Sequence, residues 1–135
     1  MLQKLDVIVG QTGNNYSAYI EGLDGIVATG ATLEEIRSNM IEAIDLYIET
    51  CKEEGLDIPK PLQGDYSLEY RVDVQNLLNM FSEIFTKSGL ERLTGINQKQ
   101  LWHYANGKSH PRRAQVLKIE NALHRLGNEL ISLRL

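Results

Sequence analysis

The sequence of 135 residues predicts an α+β protein built from two small domains. In residues 1–75, short alternating or apolar runs predict β-strands around one helix, whereas residues 76–135 carry their apolar side chains at helical spacing. Charge divides the chain at the same place. The first half holds 5 Lys and Arg against 14 Asp and Glu, a net charge of −9, and the second half holds 9 against 4, a net charge of +5. This asymmetry indicates that the two halves bind different kinds of partner.

The composition of the chain excludes several classes of protein. It is 42% hydrophobic and 24% charged, which provides apolar residues for a packed core and too little charge bias for a disordered chain. No apolar run approaches the roughly eighteen residues of a transmembrane helix, and the first residues lack the apolar region of a signal peptide. Cys51 is the single cysteine, which excludes an internal disulfide and a zinc site of cysteine pairs. We therefore expect a cytoplasmic protein with no membrane partner.

The first half contains four strand candidates. Residues 7–9 and 26–29 are short apolar runs, and residues 16–20 alternate apolar with polar side chains. Turns rich in glycine and asparagine separate them, which indicates an antiparallel meander. Residues 68–74 show the cleanest alternation in the chain and predict the fourth strand.

A helix is predicted between the third and fourth strands, which gives the order β-β-β-α-β. Apolar residues recur every three or four positions from Leu33 to Cys51, so the helix has one buried face. Thr32 and Glu35 have the spacing of a capping box, and Gly55 supplies the left-handed residue that often follows a helix. The opposite face is acidic and carries Glu42, Asp45, Glu49 and Glu53.

Three runs of this half carry a family resemblance: YSAYIE at residues 16–21, GATLEEI at residues 30–36 and NMIEAI at residues 39–44. In order and spacing they resemble the N-terminal domain of HicB-family antitoxins. The resemblance implies a partial ribonuclease-H-like or double-stranded-RNA-binding-like fold that binds a small basic toxin. The candidate toxin-binding residues are Tyr16, Tyr19, Glu42, Asp45 and Glu49.

A fold of this kind also raises the possibility of a metal-dependent nuclease. Such an enzyme needs several carboxylates that converge on divalent metal ions. Asp6, Glu42 and Asp73 lie on suitable elements, but Asp6 is predicted to open its strand and Asp73 to point outward. The sequence therefore favours surface carboxylates and indicates no catalytic site, no metal site and no cofactor.

The second half is predicted to be helical throughout most of its length. Apolar residues at helical spacing indicate a first helix at residues 77–85, a short second helix at 90–94 and a third at 98–105. Gly95 provides a tight turn before the third helix, and Asn97 is a natural N-cap. A final helix begins near residues 111–113.

A short helix, a glycine turn and a polar helix in close succession are typical of a helix-turn-helix. The pattern here rests on fixed offsets between Leu90, Thr94, Gly95, Ile96, Asn97, Gln98, Leu101, Tyr104, Asn106, Gly107 and Lys108. These offsets resemble those of the Cro/repressor, or Xre-type, class of DNA-binding domains. Ile96, Leu101 and Tyr104 are expected to be buried under the helix pair, and Trp102 is expected to pack in a core or an interface.

The resemblance makes residues 98–105 the recognition helix. Glutamine bonds an adenine edge in two places and lysine reaches the acceptors of guanine, so Gln98, Lys99 and His103 are the candidate base contacts. Residues beside this helix are candidates for phosphate contacts. The complete set of candidate DNA-binding residues is Lys87, Asn97, Gln98, Lys99, His103, Asn106, Lys108, Arg112 and Arg113. Glu91 departs from the family pattern, which usually has a small residue there, and is expected to turn toward solvent.

The last residues of the chain alternate again. After Gly127, apolar side chains at Ile131, Leu133 and Leu135 are separated by polar ones, which predicts a short terminal strand. A strand with an unpaired edge tends to pair with another chain, so we expect it to contact a second subunit.

Together, the two resemblances match the helix-turn-helix branch of HicB antitoxins. They imply the antitoxin of a HicAB-type pair, which neutralises a HicA-like mRNA interferase by direct binding. They also imply a homo-oligomer, a dimer or tetramer, that represses its own operon by binding promoter or operator DNA. The alternative is a stand-alone helix-turn-helix transcriptional regulator whose first half dimerises or senses a ligand.

Overall fold

The structure, a computed structural model, describes residues 2–135. It is an α+β protein with one four-stranded sheet and five α-helices among these residues. The chain divides into two compact units, of which the first ends at Asp73 and the second begins at Val74. Because Val74 and Gln75 are uncharged, the units carry the same net charges of −9 and +5 as the two halves of the sequence.

The first unit has the predicted order β-β-β-α-β. Its elements are β1 (Gln3–Thr12), β2 (Asn15–Ile20), β3 (Val27–Gly30), α1 (Leu33–Glu54), a short 3-10 helix (Lys60–Leu62) and β4 (Tyr66–Val72). The strands are ordered β3-β2-β1-β4 in the sheet. The first three form the expected antiparallel meander, and β4 pairs with β1 in parallel. The fourth strand ends at Val72, two residues earlier than predicted, because Val74 already begins a helix.

The two faces of the sheet differ in their burial. Leu5, Val7 and Val9 of β1 are buried, whereas the side chains between them are only half-buried. The register places Ala18 of β2 opposite Val9, and Ala28 of β3 opposite Ala18, on the same buried face. Helix α1 packs on this face with its own buried side chains, Ile36, Met40, Ile44 and Cys51. The other face of the sheet has no helix of the first unit over it and is called the open face below.

Both ends of α1 follow the sequence signals. The Thr32 hydroxyl accepts from the Glu35 N–H at 3.2 Å, and the Glu35 carboxylate accepts from the Ala31 N–H at 2.7 Å. Gly55 takes the left-handed conformation at φ 68°. The predicted capping box and helix end are therefore confirmed, and they fix the boundaries of the 22-residue helix.

The second unit consists of helices only. They are α2 (Val74–Met80), α3 (Lys87–Thr94), α4 (Gln98–Ala105) and α5 (Arg113–Ser132). One core cluster joins all four and contains Val74, Leu78, Leu90, Ile96, Leu101, Tyr104, Ala105 and Ile119. The predicted burial of Ile96, Leu101 and Tyr104 is confirmed.

The predicted terminal strand is wrong. Helix α5 continues to Ser132, so most of the segment that was expected to be extended is helical. The apolar positions Ile119, Leu123, Leu126 and Leu130 are spaced four, three and four residues apart, and this helical period outweighs the short alternation at the end of the chain. Gly127 does not interrupt the helix, since a single glycine costs only about 1 kcal/mol relative to alanine.

Among residues 2–135, none of the helices combines the length and the apolar character that a membrane span requires.

Candidate nucleic-acid and protein interfaces

Helices α3 and α4 are joined by a turn of three residues. Gly95 has φ 78°, and its N–H donates to the Glu91 carbonyl at 2.8 Å, which ends α3. The Thr94 hydroxyl donates to the Leu90 carbonyl at 2.7 Å and accepts from the Ile96 N–H at 3.1 Å. These bonds satisfy backbone groups that a helix end leaves unpaired, so the turn has a defined conformation.

The start of α4 is capped from two sides. The Asn97 side chain accepts from the Lys99 N–H at 2.8 Å, as an N-cap does. The Glu91 carboxylate accepts from the Gln98 N–H at 2.7 Å and so joins α3 to α4, instead of only extending into solvent. A negative charge at a helix N-terminus is favourable. The role of Glu91 was missed because the bond connects two helices and has no signature within either one.

Four of the candidate DNA-binding residues meet on one surface. Lys87 from α3 and Gln98, Lys99 and His103 from α4 line a shallow, open depression together with Trp102. Gln98 and Lys99 are exposed, and Lys87 and His103 are half-buried. The depression therefore presents two ammonium groups and two hydrogen-bonding side chains on one side of α4, a chemistry suited to phosphates and base edges.

Of the other candidates, Asn97 caps the start of α4 and the remaining four lie beyond its end. The Asn106 amide donates to the Trp102 carbonyl at 2.8 Å and so helps to end the helix. The Lys108 ammonium lies over the Trp102 ring, 4.3 Å from its centroid. Arg112 and Arg113 are exposed at the start of α5 and are not among the residues that line the depression.

Trp102 is exposed, so it does not pack in the core, and the alternative expectation that it packs in an interface stays a prediction. Its side chain is 45% accessible, and its ring centroid lies 5.6 Å from that of His103. One available signal was overlooked. Trp102 follows Gln98 by four residues, as His103 follows Lys99, so these four side chains form two adjacent rows on one face of the helix.

The candidate acidic residues of the first unit form a stripe on α1. Glu42, Asp45 and Glu49 are spaced three and four residues apart and are all exposed. Leu46, which is 65% accessible, lies beside them. Burial raises the pKa of the Tyr66 phenol above its ordinary value, and the Asp45 carboxylate raises it further. Tyr66 on β4 is therefore neutral at physiological pH and adds no charge to the stripe.

The two candidate tyrosines of β2 lie on opposite faces of the sheet. Tyr16 pairs with Gly30, on the face that α1 covers, and is half-buried. Tyr19 is 51% accessible on the open face, where it stands between Ile8 of β1 and Val27 of β3. Residues three apart in a strand point to opposite sides. A single flat partner surface therefore contacts only one of the two tyrosine rings.

Ion pairs flank Tyr19 on the open face. The Arg71 guanidinium of β4 lies 3.0 Å from the Asp6 carboxylate and 3.4 Å from that of Glu69. Lys4 lies 3.7 Å from Glu69. These pairs are partly exposed, so they contribute little to stability. They do place charged side chains on the open face beside Ile8, Tyr19 and Val27.

The three carboxylates of the nuclease hypothesis are not gathered in one place. Asp6 lies inside β1, contrary to the expectation that it opens the strand, and its carboxylate faces the open side. Glu42 lies on the outward face of α1, which covers the other side of the sheet, and Asp73 follows β4. Within residues 2–135, no group of three His, Cys, Asp or Glu side chains is placed to hold a metal ion.

Comparison with known proteins gives one finding. No curated protein and no solved structure matches the chain. A protein-family model described as UPF0150-like matches residues 6–59, which is less than half of the chain and lies within the first unit. The first unit is therefore similar over β1 to α1 to a family that is associated with HicB-like antitoxins.

Proposed function

We propose that the chain is an antitoxin of the HicAB type, which binds a small basic toxin through its first unit and its own operator DNA through its second. The observation that carries this proposal is the match of residues 6–59 to a family associated with HicB-like antitoxins. The toxin in this proposal is a HicA-like mRNA interferase. The first unit then has the partial ribonuclease-H-like fold that the resemblance implies, and α3 and α4 are an Xre-type helix-turn-helix.

The charge of the first unit supports a basic partner. Its net charge is −9, and the stripe of Glu42, Asp45 and Glu49 is exposed on α1 next to an exposed leucine. Opposite charges on two proteins accelerate their encounter, while an apolar side chain within the contact adds buried area. Tyr19 is the alternative contact surface, because it lies on the open face of the sheet and the acidic stripe lies on α1, on the other side of the sheet.

Reversing the charge of the acidic stripe is expected to slow toxin binding. The partner for this test is the short basic protein encoded by the neighbouring reading frame, co-purified with the full-length chain. With Glu42, Asp45 and Glu49 all changed to Lys, we expect the association rate at low salt to fall by roughly tenfold or more, because steering by opposite charge is lost. Surface plasmon resonance over a salt series measures the rate.

The matched control changes Asp24, Asp57 and Asp65 to Lys. These three residues are exposed, lie outside α1 and change the net charge by the same amount. Equal slowing by both triple variants would mean that overall charge, and not the stripe, guides binding. If the wild-type chain neither binds the neighbouring protein nor rescues cells from its toxicity, the antitoxin proposal fails and the stand-alone regulator takes its place.

The geometry of α3 and α4 supports DNA binding by the second unit. The capped turn holds both helices, and the depression gathers Lys87, Gln98, Lys99 and His103 on the exposed side of α4. The unit also carries a net charge of +5, which favours association with phosphates. In this arrangement α4 enters the major groove and the residues beside it contact the backbone.

A second copy of the chain is proposed to cover the free end of α5. An apolar cavity of about 250 Å³ is lined by residues of α2, of the segment that joins α2 to α3, of α3 and of α5, and Leu130 is one of them. Leu130, Ile131 and Leu133 beside it are 58%, 73% and 62% accessible. A two-fold dimer places the same patch of both copies in contact, so it covers these side chains in both. Two α4 helices about 34 Å apart then read a palindromic operator.

Removing the candidate base contacts is expected to weaken operator binding selectively. Gln98→Ala and Lys99→Ala each remove a base-edge partner, so we expect a loss of about 1–3 kcal/mol on the operator and a smaller loss on random DNA. Fluorescence anisotropy with both duplexes measures the difference, and the titration is expected to saturate at two chains per operator. Lys118→Ala is the control, since Lys118 is an exposed lysine of α5. Equal losses on both duplexes would identify the two residues as backbone contacts.

A further inference from the structure

Trp102 exposes an apolar ring among polar side chains. It is the single tryptophan of the chain, it lies on α4, and it is 45% accessible although tryptophan is on average well buried in proteins. Four polar side chains line the same depression: Lys87, Gln98, Lys99 and His103. The exposed indole is therefore available to a partner that binds at this depression.

The ring of Trp102 is held in place by its neighbours. The Lys108 ammonium lies 4.3 Å from the ring centroid over one face, and the His103 ring centroid lies 5.6 Å away. The Trp102 carbonyl accepts from the Asn106 amide at 2.8 Å, so the backbone at this position is also fixed. A ring positioned in this way loses little conformational freedom when it forms a contact.

The chemistry of the major groove decides which contact suits an indole. Hydrogen-bond donors and acceptors line the base edges there, and the C5-methyl group of thymine is the apolar feature among them. Gln98 precedes Trp102 by one helical turn on the same face, so both side chains project from the side of α4 that bears the depression. Both side chains therefore face the same partner surface.

We propose that Trp102 determines sequence specificity by packing against the C5-methyl group of a thymine in the major groove. This inference rests on the proposed DNA-binding function and adds to it a residue that reads a methyl group by apolar contact. Gln98 and Lys99 read hydrogen-bonding groups, whereas Trp102 distinguishes thymine from cytosine and from uracil. The proposal concerns a specificity-determining residue and leaves the phosphate contacts unchanged.

Uracil substitution tests this contact, because it removes the methyl group and leaves base pairing intact. The probe is a duplex selected from random DNA by the full-length wild-type chain, in which each thymine is replaced singly by uracil. At one thymine in each half-site we expect affinity to fall by about fourfold, as the loss of one buried methyl group predicts. Trp102→Ala is expected to abolish this penalty at that thymine and to leave the penalties at other thymines as they are. Trp102→Phe is expected to retain part of it.

Two further measurements control the test. Thermal unfolding followed by circular dichroism is expected to be nearly the same for Trp102→Ala and the wild type, because the side chain is exposed. Quenching of tryptophan fluorescence by acrylamide is expected to fall when the wild-type chain binds the selected duplex, since the single indole becomes covered.

The possible outcomes separate the two proposals. A uracil penalty that persists unchanged in Trp102→Ala, or acrylamide quenching that is the same with and without the duplex, overturns the assignment of Trp102 alone. If selection yields no preferred sequence, both the DNA-binding function and this inference are overturned. Fluorescence protection together with loss of the penalty in Trp102→Ala supports both.

Discussion

Replacing Leu101 by alanine is expected to lower the free energy of unfolding of the second unit by about 2–5 kcal/mol. The Leu101 side chain is 0% accessible and lies in the core cluster that joins the four helices. The loss has two parts. One is the favourable free energy of burying the groups that the substitution removes, and the other is the cost of the cavity left in the folded variant. A unit of 62 residues has little stability in reserve, so a substantial fraction of the variant unit is expected to unfold.

The measurement is urea denaturation followed by tryptophan fluorescence. Trp102 is the single tryptophan and belongs to the second unit, so its signal follows that unit. The control is Leu117→Ala, the same change at a position of α5 that is 37% accessible, with an expected loss of roughly 0.5 kcal/mol or less. A loss at Leu101 no larger than that at Leu117 would contradict the packing described for the core cluster.

Replacing Gly30 by alanine is expected to destabilise the first unit by about 1–3 kcal/mol. A Cβ atom at Gly30 meets the Cβ atom of Glu35 at 2.9 Å and the Ile36 nitrogen at 3.1 Å. Both atoms belong to the first turn of α1 and neither is the free end of a flexible side chain. The substitution therefore forces the capped end of α1 away from β3.

Gly10→Ala is the matched control for Gly30→Ala. Gly10 also lies in a strand, but a Cβ atom there has no neighbour within 4 Å. Alanine at this position is expected to be neutral or slightly stabilising, because glycine in a strand loses more conformational freedom on folding. Urea denaturation followed by far-ultraviolet circular dichroism compares the two variants. Equal urea midpoints for the two variants would show that the end of α1 moves away from β3 without any loss of stability.

Local signals predicted the helix ends well. The capping hydrogen bonds of Thr32, Glu35 and Asn97 all join residues at most four positions apart. Their spacing in the sequence is therefore enough to identify them. The same holds for Gly95, whose left-handed conformation a tight turn requires. The β-β-β-α-β order was also predictable, because each strand and the helix have their own period of apolar residues.

Features that depend on packing between elements were not predicted. The bond from Glu91 to the Gln98 N–H and the approach of Gly30 to α1 join two elements, and no period within one element reports them. The residue type of Trp102 predicts a core or an interface, whereas its spacing from Gln98 indicates the exposed face of α4. The sequence predicts an extended end of α5 because two periods overlap there, whereas in the structure the longer helical period continues past Gly127.

The edges of the sheet bear on the solubility of the chain at high concentration. Strand order makes β3 and β4 the two outer strands, and an outer strand exposes backbone groups to which the strand of another molecule can bond. Strand β3 is only four residues long, which limits such bonding. Strand β4 has seven residues, and it carries Glu69 and Arg71, whose partners Lys4 and Asp6 lie on the adjacent strand. Addition of a foreign strand at β4 must desolvate these charges, so ion pairs that add little to folding stability still oppose aggregation.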